Sequence, residues 1–180
     1  GLSLAVLIHA SRIIERSFLP LIISSQTIPV FAIAPLLILW FGYGIGSKVV
    51  MTAIIVFFPI VINTVEGLKA ADPDTLALLQ ILEASPGQVF FKVRVPQSLP
   101  FVFSGMKIGV AVSVIGAVIG EWVGAREGLG YLMIHANAQL QVDLVFASIF
   151  WLSILGMGLY GLVVVVERLL VPWRHGRSNK

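Results

Sequence analysis

Between Arg16 and Lys48 the chain carries no charged residue, and between Asp143 and Glu167 it again carries none. About 20 mostly apolar residues, rising 1.5 Å each in a helix, cross the roughly 30 Å hydrocarbon core of a bilayer. Both uncharged stretches are long enough to do so. The composition agrees: 58% of the 180 residues are hydrophobic and 12% are charged, against about 25% charged in an ordinary soluble domain. With a mean hydropathy of +0.99, the chain reads as an all-α, polytopic transmembrane helix bundle. The net charge of +3 is spread by position and forms no stripe, which argues against nucleic-acid binding. Without cysteine there is neither a disulfide nor a thiolate metal site.

The gaps between charges predict four spans: Leu19 to Phe41, Val49 to Val65 with Pro59 and Asn63 inside it, Pro100 to Gly120, and Leu144 to Val166. Only Lys107 interrupts the third, and its stem allows the ammonium to snorkel to the nearer interface. Gly1 to Ala10 is apolar from its first residue, with no charged n-region or small-residue cleavage site. It reads as a partial helix whose earlier residues are missing, so the expectation is about five spans in all. Cytoplasmic loops retain Lys and Arg. One side receives Arg12, Arg16, Lys69, Lys92, Arg94, Arg168, Arg174, Arg177 and Lys180, with Lys107 nearby, and the other only Lys48 and Arg126. The segment 66–99 and the C-terminus are therefore expected inside the cell, with Gly42 to Lys48 and Glu121 to Asp143 outside.

Residues 66–99 are too polar to span and too patterned for a linker. Asp72 before Pro73 is an N-cap followed by proline at the first helical position, where its missing N–H costs nothing. A helix from Thr75 to Ala84 is expected. Ser85-Pro86-Gly87-Gln88 then forms a capping box, and a second helix follows, ending before Pro96 because the residue preceding proline leaves the helical region. Val89 and Val93 share one face of it. Such a helix-turn-helix can lie on lipid headgroups or dock into a groove of a cytoplasmic partner.

The run Glu83-Ala84-Ser85-Pro86-Gly87-Gln88-Val89-Phe90, then Lys92-Val93-Arg94-Val95-Pro96 and Leu99-Pro100, resembles the coupling loop of permease subunits of binding-protein-dependent ABC importers. That family's loop reads Glu-Ala-Ala, three residues, Gly, nine residues, then Ile-x-Leu-Pro. Setting Val93, Val95 and Pro96 on its end places Glu83 at the family's glycine and Ala77-Leu78-Leu79 at its Glu-Ala-Ala. Ile28-Pro29, Ala34-Pro35-Leu36, Trp40-Phe41-Gly42, Phe57-Phe58-Pro59, Asn63, Gly120-Glu121-Trp122, Gly128-Leu129-Gly130 and the ending Leu169 to Trp173 look like its sulfonate, taurine and thiamine-precursor branch. The resemblance implies one type-1 transmembrane domain over 1–180, sited in the inner membrane. It implies a pathway shared with a second permease copy as a homodimer, ATP-binding subunits, and an external solute-binding protein. It also implies that Leu78, Glu83, Ala84, Ser85, Pro86, Gly87, Phe90, Val93 and Pro96 couple to the ATPase. ATP would sit on the partner, with no cofactor in this chain. Thiamine-precursor pyrimidines, sulfonates and taurine remain open as solutes.

No other motif supplies chemistry. Gly42 to Lys48 is glycine-rich but lacks the phosphate-wrapping spacing of a nucleotide-binding loop. His9, His135 and His175 are too scattered for a metal site, and no hydrolase motif occurs. Gly105, Gly109, Gly116, Gly120 and Gly124 fall near one helical face, a small-residue stripe suited to close helix packing or to lining a pathway. Glu121, with Trp122 beside it, and Asn63 are the candidate pathway contacts, since an ionisable group near the membrane interior points to function. Pro29, Pro35 and Pro59 are candidate kinks. The alternative function is an ion-gradient-driven carrier or channel using Glu121 and Lys107.

Overall fold

The computed structural model describes residues 1–173; the rest of the basic tail, with Arg174, His175, Arg177 and Lys180, lies outside the described residues. The elements in chain order are α1 (Leu2–Ala10), α2 (Arg12–Ser25), α3 (Val30–Phe41), α4 (Ile45–Lys69), α5 (Pro73–Ile81), α6 (Pro86–Val89), a π turn (Phe90–Arg94), α7 (Val95–Gly124), α8 (Leu129–Ala138) and α9 (Val142–Leu170). They form two compact units: unit one holds 1–23, 58–107 and the described residues from Val163 on, and unit two holds 24–57 and 108–162.

Among the described residues three helical runs are long and apolar enough to cross a bilayer: 45–69, 86–124 and 142–170. A fourth is present if the bent pair α2 and α3 counts as one span. About five were expected, and α1, at nine residues, reaches only about 14 Å. The span expected over Leu19 to Phe41 is broken: the chain turns by 94° between α2 and α3. Proline at 29 cannot donate to a helix and forces Ile28 out of it. The Thr27 hydroxyl and N–H both donate to Ser24 O, at 2.7 and 3.0 Å, closing α2 before the turn.

In unit one the buried apolar side chains include Ile8, Val61, Val65, Leu68, Ala71 and Val171. In unit two Ala34, Leu37 and Met51 form a core, packed by Val30, Ile33, Val50, Ile55, Ile119 and Val123. By contrast, α9 exposes Phe146, Phe150, Trp151 and Leu155, as a helix apolar on all sides does when lipid is its solvent.

The hairpin departs from expectation in two places. The first concerns α5, which starts at Pro73 with Asp72 Oδ2 accepting from Thr75 N at 3.1 Å, but stops at Ile81 instead of Ala84. It ends in a Schellman motif, with Ala84 N–H on Leu79 O at 3.0 Å, Glu83 N–H on Gln80 O at 3.1 Å, and Glu83 at φ 52°. Glycine adopts that left-handed conformation freely, whereas other residues pay roughly 1–2 kcal/mol for it. Glu83 occupies the position that the loop alignment gives to glycine. Glu83→Gly is therefore expected to raise stability by about 1 kcal/mol, seen as a higher unfolding temperature of the detergent-purified protein.

The second departure concerns the helix after Ser85. Its capping box is present, with Gln88 N donating to Ser85 Oγ at 3.3 Å and Ser85 N to Gln88 Oε1 at 2.9 Å. Yet it does not end before Pro96; it runs through the π turn into α7. In a regular α-helix the Pro96 ring would collide with the carbonyl four residues back. The wider π turn, in which Val95 N–H bonds to Phe90 O, takes that carbonyl out of register.

Candidate functional site: the hairpin and the α4–α7 cleft

The exposed end of the hairpin is apolar, presenting Leu78, Ile81, Leu82 and Phe91. Glu83, Ser85, Pro86 and Gly87 are exposed beside them, Ala84, Phe90 and Pro96 are half-buried, and Val93 is buried. Phe90 packs edge-on against Phe91, ring centroids 5.2 Å apart. Of the coupling residues implied by the resemblance, Val93 thus faces inward, while Ile81, Leu82 and Phe91, which the sequence reading did not single out, are exposed beside Leu78. Their signal was present in the sequence as large apolar side chains in a segment too polar to span.

The base of the hairpin is tied down within unit one. Arg94 Nη1 donates to Leu68 O at 3.0 Å and lies 3.2 Å from His9 Nε2. Nearby, Lys69 pairs with Glu15 at 2.6 Å, and Asp72 N–H donates to Gln97 Oε1 at 3.2 Å. The last turn of α4 and the π turn are therefore joined through a guanidinium, a group with several donors in a fixed plane.

In unit two an open cleft of about 420 Å³ runs between α4 and α7, lined by Lys48, Val49, Thr52, Ala53, Val56, Ala117 and Glu121. The Glu121 carboxylate accepts the Gly130 N–H at 2.6 Å, in the first turn of α8, where a negative charge meets unpaired N–H groups and the positive end of the helix dipole. The segment from Glu121 to Asp143, expected as a loop, contains this ten-residue helix. Gly128 lies at φ +127°, and a side chain there would run into the Glu121 carboxyl. Trp122 is exposed and does not line the cleft. Asn63 belongs to unit one, where its side-chain amide donates to Pro59 O at 2.8 Å.

Lys107 does not snorkel. It pairs with Glu167 at 2.6 Å between α7 and α9, with side chains 18% and 5% exposed. Of the α7 glycines, a side-chain carbon at Gly105 would fall 2.7 Å from Pro59 O, at Gly116 3.2 Å from Thr52 Cα and at Gly120 3.4 Å from Lys48 Cα. At Gly124 it would meet Ile38, and Gly109 is buried. Among the described residues no three His, Cys, Asp or Glu side chains gather as a metal site.

Residues 1–172 match the family of binding-protein-dependent transport system inner membrane components. The chain belongs to that family. It is 51% identical over 160 residues to a probable ABC transporter permease protein of Haemophilus influenzae, covering 89% of this chain and 65% of that one. It is 43% identical over 174 residues to a formylaminopyrimidine transport permease protein of Halalkalibacterium halodurans, covering 97% and 70%. It is also 40% identical over 162 residues to a riboflavin transport system permease protein of Chloroflexus aurantiacus, covering 90% and 60%. This inner membrane component thus spans roughly two thirds of its relatives' length.

Proposed function

We propose that the chain is the pathway-forming permease subunit of an ABC importer, working with ATP-binding subunits, an external solute-binding protein and a second copy of itself. The observation that carries this reading is the family match over residues 1–172. The hairpin fits it, because an apolar tip of Leu78, Ile81, Leu82 and Phe91 on a segment clamped through Arg94 is a docking surface joined to a lever. The excess of Lys and Arg on the hairpin's side supports a cytoplasmic position for it. ATP-driven closure of the partner moves the hairpin, and α4 and α7 follow. The solute is a small nitrogen heterocycle, the chemistry common to the solutes for which two of the relatives are named; sulfonates and taurine are the competing classes.

The test is copurification of the full-length permease with its ATP-binding subunit in mild detergent. A stoichiometric complex is expected. Gly87 is exposed with nothing within 4 Å of an added side chain, so Gly87→Glu leaves this chain's own packing alone. It should nevertheless weaken the complex about tenfold, or 1.4 kcal/mol. Undiminished recovery would remove the hairpin from the docking surface. The buried Lys107–Glu167 pair is the one feature favouring a gradient-driven carrier, since such carriers use intramembrane charges. Solute uptake that survives a protonophore and stops on ATP depletion decides against that reading.

A further inference from the structure

The geometry points to Lys48 as a solute-recognising cation of the pathway, receiving a carbonyl or anionic oxygen of the transported molecule in the α4–α7 cleft. This rests on the importer reading and adds to it the residue and the chemistry that select the solute. The walls of the cleft are apolar, formed by Val49, Ala53, Val56 and Ala117, and its polar side chains are Lys48, Thr52 and Glu121. At about 420 Å³ it falls within the range of small-molecule sites, which combine apolar walls with a few converging polar groups.

Lys48 differs from the other half-buried cations among the described residues: Lys107 is paired with Glu167, and Arg94 donates to Leu68 O. Among the described residues the ammonium of Lys48, a half-buried residue, has no hydrogen-bond or ion-pair partner. Its stem is seated on α7 where the chain has glycine: a side-chain carbon at Gly120 would lie 3.3 Å from Lys48 Cγ. Glu121, the carboxylate of the same cleft, is committed to Gly130 N–H. An ammonium with no protein partner keeps its three donors for an oxygen acceptor in the cleft. The shared chemistry of its candidate ligands is that oxygen, whether from solute or from lipid phosphate. The phosphatidylcholine and phosphatidylglycerol arms of the experiment separate the two sources.

The experiment uses the complete permease with its ATP-binding subunits and binding protein in phosphatidylcholine vesicles, measuring ATP-driven uptake of formylaminopyrimidine and, in a parallel arm, taurine. Lys48→Met is expected to raise the KM of uptake at least about tenfold, with Lys48→Arg recovering most of the loss. Ala53→Phe narrows the cleft from an exposed position without touching the charge, and should raise KM as well. A KM within about twofold of wild type in either Lys48→Met or Ala53→Phe overturns the site while leaving the importer reading intact. So does a Lys48→Met effect that appears only when phosphatidylglycerol is present, which would assign the ammonium to lipid. If the wild-type complex takes up neither probe under ATP, the importer reading for these classes fails and the site fails with it.

Discussion

Lys107→Met is expected to cost about 3–5 kcal/mol of stability, a large part of the 5–15 kcal/mol that typically separates folded from unfolded states. The Glu167 side chain is 5% exposed and lies 2.6 Å from the Lys107 ammonium. Removing the lysine takes from this buried carboxylate the cation 2.6 Å away that offsets part of its desolvation. Removing both charges, as Lys107→Met with Glu167→Leu, deletes the desolvation cost along with the attraction, and paired apolar replacement of such a bridge is often neutral or stabilising. The double variant should therefore recover most of the loss. Thermal unfolding of the four proteins in detergent gives the coupling energy directly. A single Lys107→Met variant within 1 kcal/mol of wild type would mean that the Glu167 charge is held without Lys107 and that the pair contributes no more than a surface bridge does, about 0–1 kcal/mol.

That pair also marks what could be read from the sequence. Features set by neighbours a few residues apart were legible: the Ser85–Gln88 capping box and the Asp72 cap follow from side chains three positions from their partners. The charge gap from Asp143 to Glu167 likewise announced α9. Features set by distant partners were not. Lys107 was expected at an interface because its partner lies sixty positions away on another helix. The continuity of 86–124 was hidden for a different reason: Pro96 is a strong local stop signal, and a π turn that accommodates it leaves no mark in composition. The break at Pro29 was visible as a kink but not as a 94° turn, since proline fixes one dihedral and says nothing of how far the next helix swings. Within the site, Glu121 was singled out as an ionisable group near the membrane interior, whereas Lys48 was read as the edge of a span and the end of a glycine-rich turn. The seat that Gly120 gives it depends on α4 and α7 crossing at that point.

The helix crossing itself yields a prediction in which one chemical change has opposite signs at two places. Replacing glycine by alanine inside a helix gains up to about 1 kcal/mol of helix propensity. At Gly158 an added side-chain carbon meets nothing within 4 Å, so Gly158→Ala should show that gain undiminished, as a higher unfolding temperature. At Gly105 the same carbon would fall 2.7 Å from Pro59 O, 3.0 Å from Asn63 Cβ and 3.1 Å from Ile60 Cα. Two of those three are backbone atoms of α4, which cannot rotate out of the way. The helices must separate, and overpacking of this kind costs about 1–3 kcal/mol, more than propensity returns. Gly105→Ala should therefore lower the unfolding temperature while Gly158→Ala raises it, both read on the purified subunit. Glycine at 105 is required by close approach of a neighbouring backbone, the packing that small residues permit in membranes, where no hydrophobic force drives helices together. If both variants prove equally benign, α4 and α7 are free to part at this level. The clamp at Arg94 would then be left to transmit the motion of the hairpin on its own.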